Sequence, residues 1–282
     1  EGSIDVRKRI LAMAWDEELI LSNDDIIKAM KKNDEVTEEA IMVVGRRKLK
    51  NVLPDLEPLL ADDSPKIRAA AAAAILHFEN GPVNHAESIL NEMLDSEEES
   101  TQATALNRLV HNDSILPQEK LIQFLCNASV LISNVALSIA EKRNDSELIP
   151  AIISNLNLPK TSIQARLTLN KFSSELVVEE FQKLLTSIDI TRKLRLGIIR
   201  TLREYPNDQT IDLLLGQLDR EDQDIYNEVV ESLLAVARAH GIGEEKMKKI
   251  EEEIQAISKK VYTLNEAIKL IPDDDNKFLM HD

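Results

Sequence analysis

A helical pattern returns along this chain about every 31 residues, and this repeat constrains the fold more than any other feature. Each copy is mostly apolar at its first, fifth and sixth positions, which marks one side of a helix. The copies open at Val6, Val36, Ile67, Thr101, Ile132, Ile163, Leu194 and Ile225. The intervals between them are 30, 31, 34, 31, 31, 31 and 31 residues. The pattern therefore predicts one structural unit that is used repeatedly.

A further apolar helix ends about ten residues before most copies, as in HAESILNEML, PQEKLIQFLC and DQTIDLLLGQL. Equivalent apolar positions in these first helices are Leu56, Leu90, Ile122, Ile153, Leu184 and Leu215. Each unit is thus predicted to be a helical hairpin. Because neither helix of such a pair can bury its apolar side alone, the hairpins must stack and share a continuous core.

Composition agrees with a helical globular chain and excludes one class of partner. Of 282 residues, 43% are hydrophobic and only 3% aromatic, with few glycines. Fifty acidic residues against 34 basic ones give a formal charge of −16, which repels phosphate backbones. We therefore expect no nucleic-acid partner.

The sequence also indicates a cytoplasmic location. Its single cysteine, Cys126, excludes an internal disulfide, and no apolar stretch is long enough for direct membrane insertion. The chain opens on EGS without an initiating Met, and its first hairpin is incomplete. We therefore expect a segment of a longer protein, and attachment to a membrane domain outside the chain is one alternative.

Residues 62–76, DDSPKIRAAAAAAIL, are the copy nearest to the pattern D-x-x-[IV]-R-x-x-A. Two-helix units with this pattern resemble HEAT repeats, and the resemblance covers roughly residues 4–240. It implies an all-α fold, a right-handed α-α superhelix of the HEAT/armadillo-like solenoid type with a long C-terminal helix. It also implies that second helices line the concave side and first helices the convex side.

The six consecutive alanines, Ala69 to Ala74, follow a helix start at which Asp63 or Ser64 can accept from free N–H groups. On the HEAT model Ala69, Ala70, Ala73 and Ala74 face the concavity, whereas Ala71 and Ala72 face the core. Alanine favours helix and permits close approach of neighbours. The alternatives are a tightly curved solenoid and a shallow seat for a partner.

In the same register, basic and amide side chains point away from the core along the second helices. These candidate partner-binding residues are His77, Asn107, Arg108, His111, Lys142, Arg166, Asn170 and Arg200. A positive stripe could attract an acidic peptide or a phosphate-bearing ligand. The alternative is that these side chains pair with acidic neighbours on a solvated face.

Motifs for catalysis are missing from the sequence. It has no His-Glu dipeptide of the kind that helical-repeat di-iron hydroxylases need, no phosphate-binding glycine loop, and no G-x-S-x-G. His77 and His111 occupy equivalent places in successive repeats, but no third ligand accompanies them. We therefore expect no enzymatic activity, no metal and no cofactor.

After Gly241 the spacing of apolar residues becomes that of a long paired helix, so we predict domains at 1–240 and 241–282. The predicted helix-pairing seam is Met247, Ile250, Ile254, Ile257, Val261, Leu264, Ile268 and Ile271. This seam could form a dimer, or it could fold back and cover the last repeat.

Taken together, these features favour a non-catalytic HEAT-repeat scaffold or protein-interaction module with a protein partner on its concave face. One alternative is the soluble regulatory domain of a bacterial ATP/ADP carrier-like transporter, which this acidic chain resembles in style. A second alternative is an enzyme of the HEAT-like bilin-lyase type.

Overall fold

In the computed structural model, the described residues are 4–15, 21–32, 36–78, 81–218 and 221–240, with four more at 248, 251, 252 and 255. None of these residues lies in a β-strand, and the regular structure among them is helical. The predicted all-α class is confirmed.

The α-helices of the described residues alternate between the two helices of successive hairpins. From α2 onward, even-numbered helices are first helices and odd-numbered helices are second helices, and α1 is the second helix of the incomplete first hairpin. In chain order they are α1 (Ile4–Trp15), α2 (Asn23–Lys31), α3 (Thr37–Arg46), α4 (Leu53–Leu56), α5 (Pro65–Ile75), α6 (Val83–Leu94), α7 (Glu99–Arg108), α8 (Gln118–Leu125), α9 (Val130–Arg143), α10 (Ile149–Ser154), α11 (Ser162–Leu169), α12 (Ser174–Leu185), α13 (Arg192–Thr201), α14 (Asp208–Leu215) and α15 (Gln223–His240).

The chain divides into two compact units, Glu1–Lys171 and Phe172–Asp282. In the first unit, each second helix packs against the next one, from α1 through α3, α5, α7 and α9 to α11. In the second unit, α13 packs against α15 and α12 against α14. Stacked hairpins therefore account for each unit. The domain boundary that the sequence suggests after residue 240 stays a prediction.

Side chains at the second position of the repeat hold the turn between the two helices of a hairpin. Arg68 Nη1 donates to the backbone carbonyl of Asp62 at 2.7 Å, and Gln102 Nε2 donates to that of Leu94 at 2.8 Å. The Ser133 hydroxyl makes the corresponding bond to its own turn at 2.8 Å. Arginine is therefore replaceable at this position, because any donor with the right reach satisfies a carbonyl that would otherwise lack a partner.

The start of α5 differs in detail from the prediction. Ser64 is the N-cap residue, but its side chain makes no capping hydrogen bond. Instead, Asp62 Oδ1 accepts from the Ser64 backbone N–H at 2.8 Å, in an Asx-type turn one step earlier. Pro65 follows at the first helical position, where its missing N–H costs nothing.

Prolines interrupt the first helix of the third hairpin, which the sequence presents as the single apolar helix NVLPDLEPLLA. The structure has a 3-10 turn at Lys50–Val52, then α4, then a second 3-10 segment at Glu57–Ala61. Pro54 and Pro58 each lie in the first turn of a new segment, because proline cannot donate to a carbonyl four residues back. Leu56 is still fully buried, so the interruption leaves the core position intact.

The six alanines of helix α5 are buried on all sides, which corrects the prediction of a concave alanine surface. Ala69, Ala70, Ala73 and Ala74 are between 0% and 1% exposed, as are the two alanines predicted to face the core. Helix α5 packs against α3, α6 and α7. A helix that is apolar all round belongs in an interior, and methyl side chains let three neighbours close over it.

The closest approach in this interior joins the backbones of α3 and α5. A Cβ atom built on Gly45 would lie 2.5 Å from Ala74 Cα and 2.7 Å from Ala74 Cβ. Real Cβ atoms do not come so near to backbone, so glycine is required by the contact itself. The α3–α5 spacing is therefore set by a glycine facing an alanine.

The long C-terminal helix cannot be compared with its prediction, because the seam lies outside the described residues. These seam residues are Met247, Ile250, Ile254, Ile257, Val261, Leu264, Ile268 and Ile271. Among the helices that are described, none combines the length and the apolar character needed to cross a bilayer.

We expect Gly45→Ala to destabilise the first unit, although alanine is the better helix former by about 1 kcal/mol. Forcing a methyl group against the α5 backbone should cost more than this gain in helix propensity. The net decrease in the free energy of unfolding should be about 1–3 kcal/mol. Urea unfolding followed by circular dichroism measures the change. Gly81→Ala is the control, since a Cβ there meets only side-chain atoms, the nearest at 3.4 Å. A Gly45→Ala protein as stable as the wild type would contradict the close contact.

Candidate functional site

Three of the predicted partner-binding residues lie together, at a cleft in the first unit. Asn107, Arg108 and His111 come from α7 and from the 3-10 turn Leu109–His111 that follows it. The opposite walls come from α1 and α3, and the cleft has a volume of about 210 Å³. Its lining residues are Leu11, Glu39, Met42, Val43, Asn107, Arg108, Val110 and His111.

The cleft joins helices that are two repeats apart. Helix α5 separates α3 from α7 in the repeat order and packs against both, yet it contributes no residue to the lining. Larger side chains on α5 would hold α3 and α7 apart. The alanine sequence therefore explains why the two flanking helices close over α5 and form a cleft of their own.

An ion pair between Arg108 of α7 and Glu38 of α3 connects the two sides directly. The side chains are only 18% and 17% exposed, so the pair is largely withdrawn from water. Burial lowers the pKa of the Arg108 guanidinium below its ordinary value. An arginine in this position needs its carboxylate partner, because an uncompensated buried charge is strongly destabilising.

Two further polar atoms at the cleft are buried and make no hydrogen bond to any described residue. They are Arg108 Nε, a donor, and Glu39 Oε2, an acceptor. Both residues line the cleft. Buried polar atoms are normally hydrogen-bonded, so these two atoms carry a cost of burial that no hydrogen bond offsets.

His111 is bonded to the neighbouring second helix. Lys142 Nζ of α9 lies 2.8 Å from His111 Nδ1, and both side chains are exposed. Because an ammonium can only donate, Nδ1 must accept, which assigns the neutral imidazole with its proton on Nε2. Predicted residues from two successive repeats are thus joined at the edge of the cleft.

His77 lies apart from this cluster, in the turn that follows α5. It is half-buried, and its backbone N–H donates to Ala74. Burial, together with the nearby charges of Arg46 and Lys48, lowers the pKa of His77 below 6.5. The imidazole is therefore neutral at pH 7 and adds no charge to the predicted basic stripe.

Arg166 lies on the exposed side of α11, and Asn170 is the exposed residue that follows this helix near the end of the first unit. Ile163 and Leu167 flank them and are 66% and 53% exposed. Ile163 opens a copy of the repeat and was expected on the buried stripe, so that expectation is wrong. One turn of α11 thus presents two large apolar side chains beside an arginine, a combination common in protein contacts.

Arg200 belongs to the second unit and is ion-paired. Its Nε donates to Glu228 Oε2 of α15 at 2.7 Å. The same carboxylate also accepts from Arg203 in the 3-10 turn after α13. Arg200 and Arg108 thus both follow the alternative given for the stripe, in which cations pair with acidic neighbours.

Sequence reasoning missed the residues that complete the cleft. Glu38 and Glu39 lie in the first turn of α3, where acidic residues are common because they suit the helix dipole. Nothing in the sequence therefore marks them as site residues. Met42 and Val43 follow the ordinary apolar pattern. No sequence signal places them opposite Arg108, because contact across two repeats arises only when the intervening helix has small side chains.

Metal binding has no support from the described part of the chain. Within it, no three His, Cys, Asp or Glu side chains are grouped as a metal ion would require.

Comparisons with known proteins find similarity among solved structures. No protein-family model and no curated protein matches the sequence. Among solved structures, Escherichia coli YibA is 15% identical with a TM-score of 0.45 and covers 90% of this chain and 98% of its own. Human deoxyhypusine hydroxylase is 13% identical with a TM-score of 0.34, covering 84% and 92%. The CpcE–CpcF phycocyanin lyase complex of Nostoc is 14% identical with a TM-score of 0.37, covering 84% and 95%.

The chain has a HEAT/armadillo-like repeat fold, as the stacking of its helical hairpins indicates. The expectation that it lacks enzymatic activity is corrected, because a hydroxylase and a lyase are among the structures to which it is similar. This fold therefore does not separate an interaction module from an enzyme.

The Arg108–Glu38 pair gives a prediction about stability. Glu38→Gln is expected to cost about 2 kcal/mol, since it removes a charged partner from a largely buried guanidinium. Arg108→Met should cost a similar amount, and the double variant should cost less than the sum of the two. Urea unfolding of the wild type, the two single variants and the double variant measures these changes as a double-mutant cycle.

The exposed pair Lys31–Asp55 provides the control for this cycle. Its side chains are 54% and 44% exposed, so Lys31→Met is expected to cost no more than about 0.5 kcal/mol. A Glu38→Gln effect as small as this would show that the buried pair contributes nothing.

His77 gives a prediction about pH. Its pKa is lower in the folded chain than the 6.5 of an unperturbed histidine, so the unfolded chain takes up the proton first as pH falls. The contribution of His77 to the free energy of unfolding should therefore have its full value above pH 6.5 and decrease below it. The decrease should level off once the folded imidazole is also protonated. Urea unfolding from about pH 5 to 7.5 should show a smaller decrease in His77→Gln than in the wild type. His85→Gln, at an exposed histidine of the same unit, measures the background change.

Proposed function

We propose that this chain is a protein-interaction module whose second helices carry the contact surface, centred on the cleft between α1, α3 and α7. The observation that supports this function is the cleft itself, whose apolar walls adjoin the exposed polar residues Asn107 and His111. Recognition sites commonly combine an apolar recess with a few fixed polar groups.

The chemistry of the walls suits a protruding side chain of a partner. Leu11, Met42, Val43 and Val110 provide the apolar surface, and methionine adapts to differently shaped side chains. The Arg108–Glu38 pair ties one wall to the other, so the cleft is formed before a partner arrives. Pre-formed sites bind more tightly because less order is imposed on binding.

Other predicted residues extend this surface beyond the cleft. Lys142 and His111 lie at its edge, and the exposed side of α11 adds Arg166 and Asn170 with the apolar pair beside them. In this proposal the cleft supplies the central contact and α11 supplies a peripheral one. The paired residues Arg108 and Arg200 stabilise the protein and do not attract the partner by free charge.

The proposal is tested by cross-linking and by a variant that fills the cleft. A photo-cross-linking amino acid at Asn107, an exposed position on the rim, should capture a partner protein that the same probe at Ile188 does not capture. Ile188 is fully exposed and lies in the second unit. With purified components, Val110→Trp should then weaken binding of that partner by about tenfold or more, since it fills the apolar recess.

Two variants complete the design. Ile188→Trp should leave the affinity unchanged, and Arg166→Glu should reduce it to a smaller extent than Val110→Trp. Equal affinity for wild type and Val110→Trp, with both proteins equally folded, would show that the cleft is not the contact surface.

The carrier alternative is a separate proposal, and it is decided by the coding sequence on both sides of this segment. Several neighbouring runs of about 20 apolar residues would make the segment part of a membrane protein.

A further inference from the structure

A second recess in the first unit is larger than the cleft and shares α1 with it. Helices α1 and α2 both pack against α3, and an apolar groove of about 500 Å³ lies between them. The apolar residues that line this α1–α2 groove are Ile10, Leu11, Leu21, Ala29 and Val36. Sites for small ligands commonly have such a volume, with mostly apolar walls and a few polar groups.

The apolar surface of the groove is accessible to a ligand. Ile10, Leu21 and Ala29 are half-buried, so each presents side-chain surface to solvent. Arg47 Nη1, at the end of α3, donates to the backbone carbonyl of Leu21 at 2.7 Å and holds that side of the groove in place. An alkyl group in the groove would cover this surface, and removing apolar surface from water favours binding.

One side of α2 brings charged side chains to the groove. Its lining residues are spaced as i, i+3, i+4 and i+7, which share one side of a helix, and they are Asp25, Lys28, Ala29 and Lys32. With Arg7 of α1, the described lining residues include three cations and one anion. This balance is opposite to that of the whole chain, in which 50 acidic residues outnumber 34 basic ones. The groove is therefore locally suited to an anion.

The carboxylate of Asp25 already has a structural role at the start of α2. It accepts from the Ser22 hydroxyl at 2.7 Å, and the same Ser22 oxygen accepts from the backbone N–H of Asp25 at 3.2 Å. The distance from Asp25 to Lys28 Nζ is 3.9 Å, and the two side chains are 61% and 78% exposed. So long and exposed an ion pair contributes little, and it leaves the ammonium of Lys28 able to bind another anion.

Lys28 and Lys32 lie one helical turn apart, and both are exposed. Like charges at this spacing repel each other weakly. An anion that accepts from both ammonium groups removes this repulsion and makes charge-assisted hydrogen bonds. Lys31 of the same helix is directed to α4 instead, where it pairs with Asp55 at 2.8 Å.

We propose that the α1–α2 groove binds an amphipathic anion, a small molecule in which an alkyl chain carries an anionic head group. The alkyl chain lies against Ile10, Leu21 and Ala29, and the head group accepts from Lys28 and Lys32. The head group stays at an exposed rim, so binding does not require the burial of an unpaired charge. This inference goes beyond the proposed function, because it assigns a small-molecule site apart from the contact surface for a protein partner.

The test uses octanoate, 1-octanol and n-octylammonium as probes, which place an anion, a neutral group and a cation on alkyl chains of equal length. Each is titrated into the full chain below the concentration at which micelles form, with the methyl resonances of Ile10, Leu21 and Ala29 followed by NMR. We expect octanoate to shift these resonances and to bind about fivefold or more tightly than 1-octanol, through its charge-assisted hydrogen bonds. The cation n-octylammonium should bind most weakly.

Variants of α2 test the two parts of the groove separately. The double variant Lys28→Gln/Lys32→Gln removes both charges and keeps good helix formers, so it should bind octanoate no more tightly than 1-octanol. Lys31→Gln is the matched control on the same helix and should keep the wild-type preference. Ala29→Leu places a larger side chain in the groove and should weaken octanoate and 1-octanol alike by about tenfold. Circular dichroism establishes that each variant is folded.

The assignment is overturned if 1-octanol or n-octylammonium binds as tightly as octanoate, or if the double lysine variant keeps the preference for octanoate. It is also overturned if octanoate leaves the three methyl resonances unshifted, and the groove would then be an apolar surface suited to a helix of a partner protein. These outcomes are separate from those of Val110→Trp, because Lys28, Ala29 and Lys32 line the groove and Val110 lines the cleft.

Discussion

The close approach of α3 to α5 is the contact on which the rest of the first unit depends. A glycine on one helix faces an alanine on the other, so the two backbones meet without intervening side chains. Because α5 has methyl groups on every side, α7 also comes close, and side chains of α3 and α7 meet above it. The ion pair and the cleft follow from this geometry. Repeat proteins usually link each unit only to its neighbours, and small side chains here permit a link to the next unit but one.

The sequence was sufficient for the architecture, because the repeat reports directly on which helix sides are buried. Of the six equivalent apolar positions named in first helices, Leu56, Leu90 and Ile153 are fully buried, whereas Ile122, Leu184 and Leu215 are only half-buried. It was insufficient for the alanine helix, since a pattern made of one residue type has no apolar side to identify. Ile163 shows the same limit from the other direction, because the repeat marks an apolar position without showing that a neighbouring helix covers it.

The candidate site was predictable only in part, for a physical reason. Outward-pointing positions follow from helical periodicity, which placed Asn107, Arg108 and His111 on one surface. Their partners depend on distances between helices, which periodicity does not contain. Glu38 therefore appeared as an ordinary first-turn acid until the structure brought it to Arg108. Pairing of cations with acidic neighbours was the alternative given for the basic stripe, and Arg200 with Glu228 is a second case of it, in the second unit.

The interrupted first helix of the third hairpin has a consequence for how this region exchanges with solvent. Helix α4 spans only four residues and has 3-10 segments on both sides, an arrangement that it shares with α10 and that longer first helices such as α6 and α12 lack. Amide hydrogens there are held by fewer and weaker bonds than those of the buried helix α5 beside it. Local opening should therefore begin at α4, and the amide hydrogens of α5 should exchange with deuterium last. The third hairpin would then open at its first helix while its second helix stays protected.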